Sequence, residues 1–183
     1  MTSPQTVVSE STNSQLKTGI FTFQGSILGE QKQIKTTVSY RTLPYALFQY
    51  DNRDTICPYK EYEILTIWGK PIPKPRETQR DRWAERPSVM RFRFLRDVVR
   101  GAMEHFNFVP SEELGLIYYM QMPKLSKKKI AERQHTAHRV RPDLDNLEKA
   151  TVDALFVEDS VLYRKHSTKM WSIEPRTEIY NLL

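Results

Sequence analysis

Two aspartates stand two residues apart in the segment Arg141-Pro142-Asp143-Leu144-Asp145, at the start of a stretch with helical spacing. A lysine follows one helical turn later at Lys149, and a further acid stands at Asp159. Hard divalent cations such as Mg²⁺ prefer oxygen ligands and commonly take one or two carboxylates from a protein. Ions held in this way can stabilise both the attacking and the leaving oxygen of a phosphodiester. The spacing therefore favours metal-dependent cleavage of a nucleic acid.

Positive charge is concentrated immediately upstream of these aspartates. The chain has 183 residues, with 28 lysines and arginines against 22 acids, for a net charge of +6. Residues 124–141 contain seven basic residues and one acid, so this segment accounts for the whole excess. A basic excess confined to one segment is typical of a surface that binds a polyanion. A solvated lysine loop is the alternative, but neighbouring carboxylates would repel a phosphate backbone unless cations balanced them.

Ordinary helix chemistry explains part of the acidic pattern. Asp145 and Glu148 match a capping box, with Asp145 as N-cap and Glu148 at N3. Asp145, Lys149 and Asp153 are spaced as in a salt-bridge ladder, worth a few tenths of a kcal/mol per pair. Asp143 is harder to explain by capping. If the backbone is extended there, its side chain shares a face with that of Asp145, and both carboxylates can reach one ion.

Other chemistries have less support. The pair His135 and His138 has no third nitrogen or sulfur ligand nearby, and its surroundings are basic, which disfavours zinc. The chain has no glycine-rich phosphate loop, so no nucleotide cofactor is expected. A single cysteine, Cys57, excludes an internal disulfide and favours a reducing, intracellular location. No apolar run approaches the roughly 20 residues that span a bilayer, and residues 1–14 do not have the pattern of a signal peptide.

The elements that must position these residues follow an α+β order. Residues 1–17 are expected to be disordered, and residues 19–23 and 34–40 to form a β-hairpin. Ser88 is expected to cap a helix whose apolar residues recur with helical spacing as far as Phe106. A second helix is expected over residues 145–155, and the remaining strands over residues 63–68, 114–120, 161–170 and 177–182. This order predicts a small mixed β-sheet with two helices packed on one face.

Three segments together resemble a known protein family. The first reads Arg141-Pro142-Asp143-Leu144-Asp145-Asn146-Leu147-x-Lys149-Ala150-x-x-Asp153-Ala154-Leu155, followed by Glu158-Asp159. The second reads Ile67-x-Gly69-Lys70-Pro71-Ile72-Pro73-Lys74-Pro75-Arg76, and the third is the basic stretch from Pro123 to Lys129. They resemble the RusA family of Holliday junction resolvases, which occurs in bacteria and prophages. The resemblance covers roughly residues 62–183, the expected endonuclease domain, and leaves residues 1–61 as an N-terminal extension.

The resemblance implies a homodimer that nicks four-way DNA junctions symmetrically, with Mg²⁺, or Mn²⁺ as an alternative, as cofactor. Matched residue to residue, Asp143, Asp145 and Asp159 would be the metal ligands, and Lys149 the active-site lysine. The connection between the second helix and Asp159 is shorter than is usual in the family. Branched DNA is the expected partner, in the cytoplasm and without a membrane. DNA contacts are expected from Arg76, Lys127, Lys128, Lys129, Arg139, Arg141 and Lys169.

Two functions of other classes stay open. A junction-binding protein without catalysis would result if the short connection displaced Asp159 from the site. A basic α+β adaptor would use its acidic stripe only to cap a helix. The homodimer is also expected from the substrate, because a four-way junction has approximate two-fold symmetry and one acidic cluster per chain makes one nick. Trp68, Trp83 and Trp171 are candidates for its interface.

Overall fold

The computed structural model describes residues 6–7, 16–27, 30–43, 62–76, 78–82 and 86–181. Within these ranges the chain forms seven strands, three α-helices and two 3-10 turns. The strands are β1 (Thr6–Val7), β2 (Leu16–Ile27), β3 (Glu30–Leu43), β4 (Tyr62–Trp68), β5 (Glu113–Gln121), β6 (Arg164–Ser172) and β7 (Arg176–Asn181). The helices are α1 (Pro87–Phe106), α2 (Lys127–Arg133) and α3 (Leu144–Leu155), and the turns are Gln79–Arg82 and Asp159–Val161.

All seven strands belong to one mixed sheet, in the order β1-β2-β3-β4-β7-β5-β6. The β5–β6 pair is parallel, and the other pairs are antiparallel. Helices α1 and α3 contact each other and bury their apolar faces in one core with alternate residues of the sheet. The predicted α+β class, with a mixed sheet and two helices on one face, is confirmed. None of the helices in the described ranges is long and apolar enough to cross a membrane.

Helix α1 follows the predicted apolar spacing, and its predicted core residues Leu95, Val98, Val99, Ala102 and Phe106 are all buried. The predicted N-cap at Ser88 is wrong. The helix begins at Pro87, whose fixed φ suits the first helical position. Arg86 is therefore the N-cap, with extended backbone and no capping hydrogen bond from its side chain.

Helix α3 is fixed to the sheet by buried contacts. Leu147, Ala150 and Ala154 are fully buried, as their spacing predicted. The buried hydroxyl of Tyr118 on β5 donates to Thr151 Oγ1 at 3.0 Å, and that hydroxyl donates to the Leu147 carbonyl at 3.1 Å. Burial raises the pKa of Tyr118, so the phenol stays protonated and keeps its donor. The helix that carries the aspartates thus rests on a rigid support.

The predicted hairpin near the N-terminus is confirmed and is longer than expected. Its strands β2 and β3 pair along their whole length, and β3 then pairs with β4 from Val38–Ile67 to Leu43–Tyr62. The expectation of disorder over residues 1–17 is wrong in part, because β1 pairs with β2 and β2 begins at Leu16. The hairpin continues the sheet, while the domain boundary at residue 61 stays a prediction, since residues 44–61 lie outside the described ranges.

Two elements differ from their predicted bounds. Residues 161–163, predicted to begin the third strand, precede β6, because the 3-10 turn Asp159–Val161 occupies this part of the chain. The lysine-rich segment contains the short helix α2, for which no element was predicted. No residue of α2 is buried, so the segment has no apolar periodicity from which a helix could be predicted.

Replacing Gly101 in the middle of α1 by alanine is expected to stabilise the protein. A Cβ atom added at Gly101 would lie 3.6 Å from the ring of Phe21, an ordinary van der Waals contact. Alanine is favoured over glycine inside a helix by about 0.8–1 kcal/mol. Urea denaturation of the Gly101→Ala variant should show a gain of about that size. A Gly101→Leu variant should lose stability, because its larger side chain has to displace the buried Phe21; equal losses in both variants would contradict the geometry.

Candidate active site

The two aspartates occupy different conformations at the start of α3. The helix begins at Leu144, so Asp143 is its N-cap, with φ −70° and ψ 149°, and Asp145 is already helical. The predicted capping box is wrong, because Asp145 is not the N-cap and Glu148 pairs with Lys165 Nζ at 2.6 Å. The argument that extended backbone would place both carboxylates on one face also fails, since only Asp143 is extended. Asp143 makes no side-chain capping hydrogen bond.

The predicted salt-bridge ladder along α3 is only half formed. Lys149 Nζ lies 3.7 Å from Asp145 Oδ2, and both side chains are more than 60% exposed. Asp153 pairs instead with Lys74, which comes from outside the helix. An exposed pair at this distance contributes little to stability. The ammonium group of Lys149 is therefore loosely held and open to an approaching anion.

The proline-rich segment before α1 braces the first turns of α3. The main-chain N–H of Lys74 donates to the Asn146 carbonyl at 2.9 Å, while its ammonium group pairs with Asp153. Ile72 packs against the core. The segment belongs to no strand of the sheet, as the prolines predicted. The bracing role of Lys74 was not predicted, because an isolated lysine between prolines carries no sequence signal for a partner about 70 residues away.

A buried carboxylate organises the connection between this segment and α1. Asp81 is 3% exposed and accepts hydrogen bonds from the Arg86 guanidinium and from the main chain and hydroxyl of Thr78. The contact with Arg86, followed by those with Thr78, lowers the pKa of Asp81 to about 2. Arg86 also donates to the Arg76 carbonyl at 2.8 Å. This network fixes the main chain at Arg76, whose side chain is exposed.

Two clefts lie beside α3. The Asp143 cleft, of about 760 Å³, is lined by His138, Arg139, Val140, Arg141, Asp143, Leu144, Ser167, Thr168 and Lys169. The Lys149 cleft, of about 300 Å³, is lined by Lys149, Val152, Asp153, Asp159, Leu162, Tyr163, Arg164 and Lys165. Lys149 and Asp159 therefore share a cleft that does not include Asp143. Asp145 is linked to this second group through its ion pair with Lys149.

The oxygen donors at the start of α3 suit a hard divalent ion. Asp143 and Asp145 are exposed carboxylates that capping does not use, and Mg²⁺ is commonly bound by one or two carboxylates while it keeps several waters. Among the described residues, no group of three or more acidic, histidine or cysteine side chains is close enough to hold an ion. The role of Asp159 as a third ligand stays a prediction, as do the roles of Asp143 and Asp145.

The histidines of the basic segment do not form a metal pair. His138 is buried and its ring lies 4.0 Å from that of Trp171, whereas His135 is exposed and lies near the edge of Tyr119. Burial, with a smaller contribution from the charge of Lys169, lowers the pKa of His138. His138 is therefore neutral at pH 7. Its packing on Trp171 is a structural role.

Five of the seven basic residues predicted to bind DNA lie on two neighbouring parts of the basic segment, residues 124–141. Lys127, Lys128 and Lys129 are exposed on α2, and Arg139 and Arg141 are exposed at the wall of the Asp143 cleft. Helix α2 is anchored to the sheet at its end, where the guanidinium of Arg133 lies 5.0 Å from the centre of the Trp171 ring. Trp171 thus contacts both Arg133 and His138 within the chain.

Replacing Lys127, Lys128 and Lys129 together by alanine is expected to weaken DNA binding and to reduce its salt dependence. Each lost phosphate contact lowers the slope of log affinity against log salt by roughly 0.9, or by about 2.7 for three contacts. The slope can be measured by fluorescence anisotropy with a labelled junction in EDTA. Because none of these side chains is buried, the melting temperature should be unchanged. An unaltered slope would mean that the lysines are only solvated.

A known protein family matches the part of the chain that carries these residues. The family model for the endodeoxyribonuclease RusA matches residues 69–180, more than half of the chain. The chain belongs to the RusA family. The matched range includes most of the opening motif, the basic segment and the acidic signature, whereas β2 and β3 precede it. No curated protein and no solved structure shows significant similarity to the chain.

Membership confirms the family that the sequence motifs indicated. The protein is accordingly an endodeoxyribonuclease of a family that resolves Holliday junctions, and branched DNA is its class of substrate. An exposed basic surface is the chemistry that such a substrate requires, since cations bind the phosphates.

Proposed function

We propose that this protein is a divalent-metal-dependent nuclease that resolves four-way DNA junctions by paired, symmetric nicks, with Mg²⁺ as cofactor and Mn²⁺ as a substitute. The observation that carries the proposal is the start of α3, where Asp143 and Asp145 are exposed, free of capping, and next to the basic wall of a cleft. A divalent ion bound there would activate water and withdraw charge from the phosphate. This proposal extends the family assignment to the residues of this chain.

The residues divide the work of hydrolysis between them. Asp143 and Asp145 would hold the metal, and Lys149 would donate to a phosphate oxygen as negative charge develops on it. The attacking water would lose a proton to solvent as its oxygen forms a bond to phosphorus. The bond from phosphorus to the leaving sugar oxygen would break, and that oxygen would take up a proton from solvent. The lysines of α2, together with Arg76, Arg139 and Arg141, bind phosphates on the junction arms and set their path. Asp159, which lines the Lys149 cleft, would be the third metal ligand.

A junction-binding protein without catalysis is the second candidate. It is favoured by one observation, that Asp159 lines the Lys149 cleft and not the Asp143 cleft. In that case two carboxylates would remain at the start of α3, with no third acid beside them. Binding of junctions would be the same in both candidates, so only cleavage distinguishes them.

Selective binding tests the substrate class that both candidates share. In EDTA, where cleavage is blocked, a fluorescent four-way junction should bind more tightly than a linear duplex of the same length and base composition. The measurement is a competition titration at fixed salt, because phosphate contacts make every such affinity salt-dependent. Equal affinities for the two DNAs would contradict junction selectivity.

The protein is expected to be a homodimer in solution. Two copies related by a two-fold axis match the symmetry of a junction and supply the two nicks that resolution needs. Of the interface candidates, Trp68 is partly exposed, Trp171 is half-buried against Arg133 and His138, and Trp83 lies outside the described residues. Sedimentation at micromolar concentration should give about twice the chain mass of 21.6 kDa. A monomer that makes paired nicks would contradict the dimer.

A further inference from the structure

Lys169 makes contacts that differ from those predicted for it. It was expected to bind DNA, but its side chain is half-buried on β6 and its ammonium group donates to two main-chain carbonyls. The Val140 carbonyl lies 2.8 Å from Nζ and the Pro142 carbonyl 2.5 Å from it. Hydrogen bonds from a charged donor are roughly twice as strong as those between neutral groups. Two of the three N–H donors of this lysine are therefore engaged within the protein.

The two carbonyls belong to residues 138–143, the segment that leads directly into α3. At its beginning, the His138 N–H donates to the Lys169 carbonyl at 3.0 Å. At its end, the Asp143 carbonyl accepts from the Leu147 N–H at 3.3 Å, within the first turn of α3. Between these ends, the Lys169 side chain ties residues 140–142 to the sheet. The main chain and the side chain of one residue thus hold both parts of this segment.

The support under Lys169 is rigid. Its main chain lies in β6, opposite Tyr118 in the parallel pair with β5, and Tyr118 is 1% exposed. Tyr118 also holds α3 through Thr151. The segment 140–142 and the helix that follows it are therefore fixed to the same part of the sheet. The main chain of Asp143, where this segment meets α3, therefore has a defined position, and metal sites require such support behind the side chains that bind the ion.

We propose that Lys169 is a positioning residue, whose ammonium group holds the Val140 and Pro142 carbonyls so that the Asp143 carboxylate lies in its cleft where a divalent ion binds. The inference rests on the proposed function, because it assigns Asp143 to the metal. Lys169 does not contact the reacting phosphate in this role. It acts through the main chain, as groups behind metal ligands do when they orient those ligands.

The two roles for Lys169 predict different results. A lysine that contacts a phosphate lowers the salt slope of DNA binding by roughly 0.9 when its charge is removed. A positioning lysine leaves that slope unchanged and instead weakens metal binding, by about 10–100-fold for a group behind a ligand. The metal measurement needs no DNA and no catalysis. Lys128, exposed on α2, is the matched control for a phosphate contact.

The experiment compares Lys169→Met, Lys169→Arg and Lys128→Met with the unmodified protein. Mn²⁺ binding is measured by electron paramagnetic resonance without DNA, and junction binding by anisotropy across a salt series in EDTA. Lys169→Met should bind Mn²⁺ at least about 10-fold more weakly with an unchanged salt slope. Lys169→Arg, which keeps the charge and the donors, should recover part of the Mn²⁺ affinity. Lys128→Met should show the reverse, a smaller slope with unchanged Mn²⁺ affinity.

Several outcomes overturn the inference. Unchanged Mn²⁺ affinity in Lys169→Met, or a slope reduced as in Lys128→Met, makes Lys169 a phosphate contact or a bystander. If Lys169→Met does not fold by circular dichroism, unchanged Mn²⁺ affinity in folded Lys169→Arg and in a folded Lys169→Gln variant has the same meaning. Unchanged Mn²⁺ affinity in an Asp143→Asn variant also overturns the inference. Failure of the proposed function is a separate result: the unmodified protein binds Mn²⁺ through Asp143 yet leaves junctions uncut.

Discussion

Asp143→Asn and Asp145→Asn variants are expected to lose junction cleavage while they keep junction binding. Asparagine preserves the size of the side chain but removes the negative charge that holds a divalent ion. Loss of a group behind a metal ligand costs about 10–100-fold, so loss of a ligand itself should lower the single-turnover rate by at least about 100-fold. Binding should be retained or slightly tighter, because a negative charge near the phosphates is removed. Quenched single-turnover assays and anisotropy in EDTA measure the two quantities.

Asp97→Asn is the matched control for these variants. Asp97 is an exposed carboxylate on α1, with one weak ion pair to Arg96 at 3.7 Å, and it lines neither cleft. Its replacement removes the same charge from the protein without touching the start of α3. Its cleavage rate should equal that of the unmodified protein. If Asp143→Asn or Asp145→Asn also cleaves at that rate, the carboxylate removed in that variant is not a metal ligand.

Lys149→Met is expected to lower the cleavage rate by about 100-fold with little change in stability. Removing one preorganised donor to a developing charge typically costs about 10²–10³ in rate. The ion pair of Lys149 with Asp145 is exposed, and such pairs contribute about 1 kcal/mol or less. Rate and urea stability should therefore respond very differently. A variant that cleaves normally would leave Lys149 as one half of a surface ion pair.

Lys165→Met provides the contrast on the neighbouring strand. Lys165 lines the same cleft, but its ammonium group is paired with Glu148 at 2.6 Å, and Glu148 is largely buried. Its removal should reduce stability, because it leaves a partly buried carboxylate without its cation. The rate of folded Lys165→Met should fall much less than that of Lys149→Met. Equal losses of rate would indicate a general effect of charge in the Lys149 cleft.

The parts of the fold that depend on local patterns were predictable from the sequence. Helices α1 and α3 follow from apolar residues at helical spacing, and β4 and β5 follow from runs of β-branched and apolar residues. The acidic residues of the site were found because a helix cap requires only one acid, which leaves a second aspartate unexplained. The N-cap of α3 was predicted at Asp145 but is Asp143, and this shift of two residues changed the predicted relation between the two aspartates. Patterns locate helices well but define their first residue poorly.

The parts that depend on distant partners could not be predicted. Lys74 and Asp153 are far apart in sequence, as are Lys169 and the carbonyls of residues 140 and 142. A lysine that pairs with a carbonyl looks the same in a sequence as a lysine that binds DNA. The burial of Asp81 was not predicted, since a buried carboxylate is recognisable only from the arginine that packs on it. Long-range polar contacts, which complete the site, have no periodicity.

Cleavage of a labelled four-way junction, with Mg²⁺ or with EDTA, tests the central claim most directly. Each strand is labelled in turn, and a linear duplex of the same length is the control. With Mg²⁺ we expect nicks at matched positions in two opposing strands and nicked duplexes as products, with no cleavage of the linear duplex. In EDTA we expect binding without nicks. A junction that stays intact with Mg²⁺ and with Mn²⁺, although the protein binds it, would contradict the nuclease assignment and favour a junction-binding protein.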